Sequence, residues 1–172
     1  MMFLLNKETL MEYRIENKPA FTIAGVSKRV PLQFSGINNA IVELAQSITL
    51  EQKEEMHRLQ NVEPLQIINA SFASDTKFLE ESGELTHMIG VLTTHKDIGC
   101  NLTSLPVKEH TWAVFSNEGP FPFTYQDTMA RIYSEWLLSS DYTLAESFSF
   151  SYTIMEKENY AYSEIWIPVN RK

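Results

Sequence analysis

The residues best suited to chemistry in this 172-residue chain lie in its last third. Residues 147–154 read Ser-Phe-Ser-Phe-Ser-Tyr-Thr-Ile, small hydroxyl residues alternating with aromatic or aliphatic ones. On a strand, successive side chains point to opposite faces, so Phe148, Phe150, Tyr152 and Ile154 share one side. That side is either plain core or the aromatic wall of a ligand pocket, and alternation alone does not choose. A second run, Tyr160-Ala161-Tyr162-Ser163-Glu164-Ile165-Trp166, puts Tyr160, Tyr162, Glu164 and Trp166 on one strand face. Together with Trp112 from an earlier strand, the rings define a candidate binding wall of Trp112, Phe150, Tyr152, Tyr162 and Trp166. Flat rings attract planar or cationic organic molecules by stacking and cation–π contact, worth about 0.5–2 kcal/mol each. Glu164 and Glu135 are candidate polar contacts, although Glu135 also reads as a charge on a helix end.

The rest of the chain offers little for catalysis. It contains neither a Gly-rich phosphate loop nor a Gly-x-Ser-x-Gly elbow. His57, His87, His95 and His110 follow no common metal-ligand spacing. His87 sits on an alternating strand and reads as a solvated or hydrogen-bonded residue. The pairs Glu54-Glu55 and Glu80-Glu81 read as solvated charge. The single cysteine, Cys100, has no adjacent base and reads as inert; alone it forms no internal disulfide, which suits a reducing compartment. The sequence implies no catalytic residue, no metal and no cofactor.

Composition bounds the partners. A hydrophobic share of 44% with 21% charged residues is that of an ordinary globular domain. The net charge is −8, and the 14 Lys and Arg residues are scattered, so no basic cluster is available to neutralise a run of phosphates. Direct nucleic-acid binding is not expected. The apolar start, Met1 to Leu5, is too short for a signal segment, and no other apolar run approaches a membrane span. These features point to a cytoplasmic protein with no membrane contact.

The elements that must hold the candidate wall follow from periodicity. Residues 1–11 read as a leader or linker, and residues 12–172 as one domain. Strands are expected from Tyr13 and through Phe21, Ile23 and Val26, ending at Pro31. Asn38 or Asn39 caps a helix carrying Ile41, Leu44, Ala45 and Ile48, and Thr49-Leu50-Glu51-Gln52 matches a capping box for a further turn or two. Strands follow at 65–73 and 85–93, and 95–106 reads as loop. The second half repeats the order: a strand at Trp112–Phe115, and a helix opened by Thr124-Tyr125-Gln126-Asp127 with Met129, Ile132, Tyr133, Trp136 and Leu137 on one face. Two strands at 147–154 and 160–168 close it. Two strand-helix-strand-strand halves, about 12–100 and 105–170, predict an α+β fold with helices on one face of an antiparallel sheet. The opposite face is expected to be partly open between the halves, where a ligand groove would lie.

Three segments carry a family resemblance. They are Trp112-Ala113-Val114-Phe115 with Gly119-Pro120, Arg131-Ile132-Tyr133-Ser134-Glu135-Trp136, and Ser163-Glu164-Ile165-Trp166-Ile167-Pro168-Val169. In that order, over about residues 12–170, the chain resembles the GyrI-like family, the effector-binding domain of AraC-type transcription regulators. The resemblance implies duplicated βαββ units around a pseudo-two-fold axis and a groove for small molecules. It also implies kinship with multidrug sensors, a gyrase-inhibitory protein and a branch of hydrolases of strained-ring genotoxins. The chain lacks the room and the basic residues for a helix-turn-helix, so a standalone effector-binding domain, or the remnant of a longer regulator, is expected. Many members carry a groove glutamate on the penultimate strand, two residues before a tyrosine. Here that place falls on Phe150 or Ser149, neither a carboxylate. The expected ligand is therefore a neutral hydrophobic or aromatic molecule, family-type hydrolysis is not expected, and modulation of a protein partner such as gyrase is the alternative.

Overall fold

The computed structural model describes residues 11–33, 36–75, 82–99 and 101–172. Cys100, Glu80-Glu81 and most of the leader lie outside the described residues.

In chain order the elements are β1 (Arg14–Lys18), β2 (Phe21–Pro31), α1 (Asn39–Gln46), α2 (Leu50–Leu59), β3 (Ile68–Phe72), β4 (Glu84–Thr93), β5 (Thr103–Val107), β6 (His110–Pro120), α3 (Phe123–Arg131), β7 (Tyr142–Leu144), β8 (Phe150–Lys157) and β9 (Tyr160–Arg171). Helix α3 continues through a π-helical stretch, Ile132–Trp136, into a last turn at Leu137–Ser139. The strands form a single antiparallel sheet in the order β1-β6-β9-β8-β3-β4-β2-β5, with β7 also paired to β9. This order reads the same from both ends: β6-β9-β8 with α3 mirrors β2-β4-β3 with α1 and α2, and the halves meet where β8 pairs β3. The duplicated βαββ architecture is thus present. Each half also sends its leading strand to the far edge of the other, since β1 pairs β6 and β5 pairs β2.

Local chemistry explains most boundaries. The Asn38 side chain accepts from the Ala40 amide at the start of α1. The capping box at Thr49 and Gln52 forms in both directions, satisfying amides that a helix N-terminus otherwise leaves bare. Two expectations change. The segment read as loop at 95–106 contains most of β5; its polar residues and Pro106 suit a sheet edge, where a missing ladder donor is harmless. Helix α3 starts one residue early, with Pro122 at its cap and no side-chain cap bond, so Thr124 lies inside the first turn.

The sheet is curled, and its two faces have different fates. The inward face carries Phe21, Ile23, Ile68, Ala70, Met88, Leu92, Trp112, Val114, Phe150 and Trp166 as one core. The outward face is covered in two places. Ile132 and Trp136 pack on Ala113, Phe115, Ile165 and Ile167, while Met56 and Leu59 of α2 pack on Ala24 and Val91. Gly25 pairs with Gly90 in close backbone approach, and a Cβ on either would collide with backbone across the ladder. The face opposite the helices is largely filled by this core, and a cavity of about 290 Å³ stays open on it beside Tyr152, Glu164 and Trp166. What stays uncovered is the outward face of β3 and β8, between the two helical layers.

Candidate functional site

A cleft of about 360 Å³ lies over β3 and β8, between the segment leading into α1 and the start of α3. Its floor is built from the polar side chains of three neighbouring strands: Asn69 and Ser71 from β3, His87 from β4, and Ser151 and Thr153 from β8. Alternation fixes this: with Phe150 turned inward, Ser151 and Thr153 must turn outward, and the register sets Asn69 beside Ser151 and Ser71 beside His87. The walls are apolar, with Ile37, Ile41 and Val42 on one side and Phe121 and Pro122 on the other. A reciprocal pair of hydrogen bonds ties the walls together across the pseudo-two-fold axis. Gly36 N donates to Gln126 Oε1 at 3.2 Å, and Gln126 Nε2 donates to Gly36 O at 2.8 Å.

Two hydrogen-bonded groups organise the floor. His87 Nε2 lies 2.8 Å from Asn69 Oδ1 and its Nδ1 lies 2.9 Å from Ser71 Oγ. An amide oxygen only accepts, so Nε2 carries the proton and Nδ1 accepts from the Ser71 hydroxyl. Burial pushes the imidazole down to about 4, so the ring is neutral at neutral pH. The order serine–histidine–asparagine resembles a nucleophile relay, yet a base this weak, backed by an uncharged amide, activates a hydroxyl poorly. The arrangement presents hydrogen-bonding groups; it does not generate a nucleophile. The second group is the Tyr125 hydroxyl, 3.0 Å from Ser151 Oγ, its phenol raised by burial. Past Ser71 the floor continues into a further cavity of about 320 Å³ lined by Ser147, Ser149, Phe148 and Tyr133. There burial again raises a phenol, that of Tyr133, partly offset by a hydrogen bond with Ser149. Among the described residues lining these two cavities, none carries a formal charge at neutral pH.

The wall nominated from sequence lies on the other face. Trp112, Phe150 and Trp166 are within 0–2% of full burial and touch one another, Phe150 stacked on Trp166 at 5.4 Å and Trp112 edge-on to Phe150 at 5.0 Å. They are core rings, reached by no described opening on the helical side. Tyr152, Glu164 and the edge of Trp166 do meet, at an inner cavity of about 290 Å³ closed by Glu63, Pro64, Leu65 and Gln66. There Glu164 accepts from Trp166 Nε1 at 2.8 Å and from the Tyr162 hydroxyl at 3.3 Å, and faces the Arg14 guanidinium at 3.2 Å. Burial first, and then the Glu164 charge, raise the Tyr152 phenol. Glu135 joins none of this; it pairs with Arg131 on the exposed face of the helix at 3.0 Å.

Sequence reasoning passed over Asn69, Ser71, His87, Tyr125, Ser151 and Thr153. A signal was present in the same octapeptide: a central strand whose outward positions are all small hydroxyls has no apolar face to offer a helix, and so predicts an uncovered stretch.

A duplicated βαββ sheet with a cleft over its symmetry axis defines a class of small-molecule-binding domain. The model of the GyrI-like small molecule binding domain matches residues 11–170, and the chain belongs to that family. No curated protein matched the sequence. Solved structures share the fold at low identity. SAV2435 bound to tetraphenylphosphonium is 18% identical, with a TM-score of 0.66 over 93% of this chain and 94% of that one. The C-terminal domain of EcmrR is 14% identical, with a TM-score of 0.62 over 95% and 99%. A hydrolase encoded by lin2189 from Listeria innocua is 9% identical, with a TM-score of 0.53 over 93% and 92%. Among the described residues no helix is long and apolar enough to cross a membrane.

Proposed function

We propose that this GyrI-like domain binds an uncharged, largely apolar or aromatic molecule in the cleft over β3 and β8. The observation that carries the reading is the lining: apolar walls, a floor of hydroxyl, amide and neutral imidazole groups, and no ionised side chain among the described residues. An organic cation entering such a site would lose water without gaining a counter-charge, which is costly. A neutral ring system loses less and finds hydrogen-bond partners at Ser71, Asn69 and Ser151. A volume of about 360 Å³ lies at the small end of the range for ligand sites, suited to a compact molecule. Family-type hydrolysis does not fit this lining, because a groove without a carboxylate and with a weakly basic imidazole has no strong general base.

Calorimetric titration with matched pairs of one aromatic scaffold, neutral and quaternary ammonium, tests the reading. The neutral member should bind tenfold or more tightly, and Ile41→Trp, which fills the cleft, should abolish it. Tighter binding of the cation, or binding indifferent to Ile41→Trp, would remove the proposal.

A further inference from the structure

The floor of the cleft over β3 and β8 is polarised, and His87 sets the polarity. Asn69 and Ser71 stand two residues apart on β3 and flank the imidazole, Asn69 Oδ1 at 2.8 Å from Nε2 and Ser71 Oγ at 2.9 Å from Nδ1. Burial keeps this ring neutral at neutral pH. A neutral imidazole has one N–H and one bare lone pair, so its two partners are held in unlike states. Asn69 gives its oxygen to Nε2 and keeps Nδ2, a pure donor, which has no hydrogen-bond partner among the described residues. Ser71 gives its proton to Nδ1, so towards a ligand its oxygen can only accept. The floor therefore offers a donor at one place and an acceptor at another, with the roles fixed before any ligand arrives.

The spacing of the two groups narrows what fits. Successive positions on one face of a strand lie about 6.5 Å apart, close to the span between the two substituent oxygens of a para-substituted benzene ring. Apolar walls stand on either side of this line, Ile37 and Ile41 against Phe121 and Pro122. We propose, resting on the reading of this cleft as the ligand site, that it selects compact uncharged rings with a hydrogen-bond acceptor at one end and a donor at the other, the class of 4-hydroxyphenyl ketones and esters. The ligand carbonyl accepts from Asn69 Nδ2, and its phenol donates to Ser71 Oγ. His87 acts through these two as a positioning residue. A ring without the acceptor leaves Asn69 Nδ2 desolvated and unpaired, and a ring without the donor sets its own lone pairs against those of Ser71; either mismatch weakens binding.

Four neutral probes separate these contributions by calorimetric titration at about pH 6.5, where a phenol keeps its proton. They are 4′-hydroxyacetophenone, 4′-methoxyacetophenone without the donor, 4-ethylphenol without the acceptor, and 3′-hydroxyacetophenone with both groups at a shorter span. The first should bind at least about fivefold more tightly than each of the others. Ser71→Ala should level 4′-hydroxyacetophenone with its methoxy counterpart, and Asn69→Ala should level it with 4-ethylphenol. The nitrogen chemical shifts of His87 should show a proton on Nε2 and none on Nδ1, in the free and the bound protein. Equal affinities for the four probes, no saturable binding of 4′-hydroxyacetophenone, preferences that survive both variants, or a proton on Nδ1 would each overturn the proposal. The probe series and the shifts are read on the native chain, so they decide the matter even where a variant fails to fold. Equal affinities that Ile41→Trp abolishes reject this ligand class and keep the cleft as the site; binding that Ile41→Trp leaves untouched rejects both.

Discussion

Tyr125 and Ser151 join hydroxyls at 3.0 Å across the gap between α3 and the central strand of the sheet. The bond connects a helix of the second half to the strand that meets the first half, directly under the cleft. Both hydroxyls can donate and accept, so a ligand carbonyl or hydroxyl can join the pair without leaving either group unsatisfied.

Removing one partner tests this. Tyr125→Phe leaves the Ser151 hydroxyl without its helix partner in a buried position and should cost about 1 kcal/mol of stability, measured by urea denaturation. Ser151→Ala should cost a similar amount, and the double variant should cost less than the sum of the two. Additive losses would show that the two hydroxyls do not interact.

His87 gives the fold a pH dependence of known sign. Burial holds its folded value at about 4, against an ordinary value of 6.5 in the unfolded chain. Between those values the unfolded chain binds the extra proton, so stability falls as the pH drops from about 6.5 to 4 and is complete above that window. A depression of this size corresponds to on the order of 3 kcal/mol across the window. In His87→Gln the stability lost over this window, followed by urea denaturation at successive pH values, should shrink by about that amount. An unchanged pH profile would show that His87 titrates normally.

How much of this was legible from sequence depends on the face considered. Phe150 was correctly placed on an alternating strand, because period-two patterning needs only neighbours along the chain. Its membership in the core was not legible, because that depends on which way the sheet curls. It depends too on pairings between strands far apart in sequence, such as Gly25 against Gly90, where neither residue has room for a Cβ. The hydroxyls at Ser149, Ser151 and Thr153 are visible in the same alternation, on the side opposite Phe150. Only the register that sets Asn69 beside Ser151 and Ser71 beside His87 shows that Asn69, Ser71, His87, Ser151 and Thr153 form one floor. The ion pair of Glu164 with Arg14 spans 150 residues of sequence, and no local pattern could have announced it.

Core and pocket roles for Phe150 predict different experiments. As a ring held between the edge-on Trp112 and the stacked Trp166 and nearly sealed from water, it should cost about 3–5 kcal/mol when cut to alanine, because a cavity remains. Phe150→Leu should cost less. In neither variant should the preference for neutral over cationic ligands change, since the ring faces away from the cleft. A stable Phe150→Ala protein with altered ligand preference would return Phe150 to the binding wall.

The last prediction puts a charge where the cleft has none. Ser151 lies at the centre of the floor, beside Asn69 and under Tyr125. Ser151→Glu would place a carboxylate there with a phenol donor within reach and apolar walls on both sides. A half-buried carboxylate without a cation costs about 1–3 kcal/mol of stability, and bound organic cations should relieve that cost. The variant should therefore melt lower than the native chain when empty. It should gain more melting temperature from tetraphenylphosphonium than the native chain does, and bind the neutral scaffold less tightly. The shift should shrink at low pH as the new carboxylate takes up its proton. If Ser151→Glu discriminates between charged and neutral ligands no differently from the native chain, the lining of this cleft does not set the charge of its ligand.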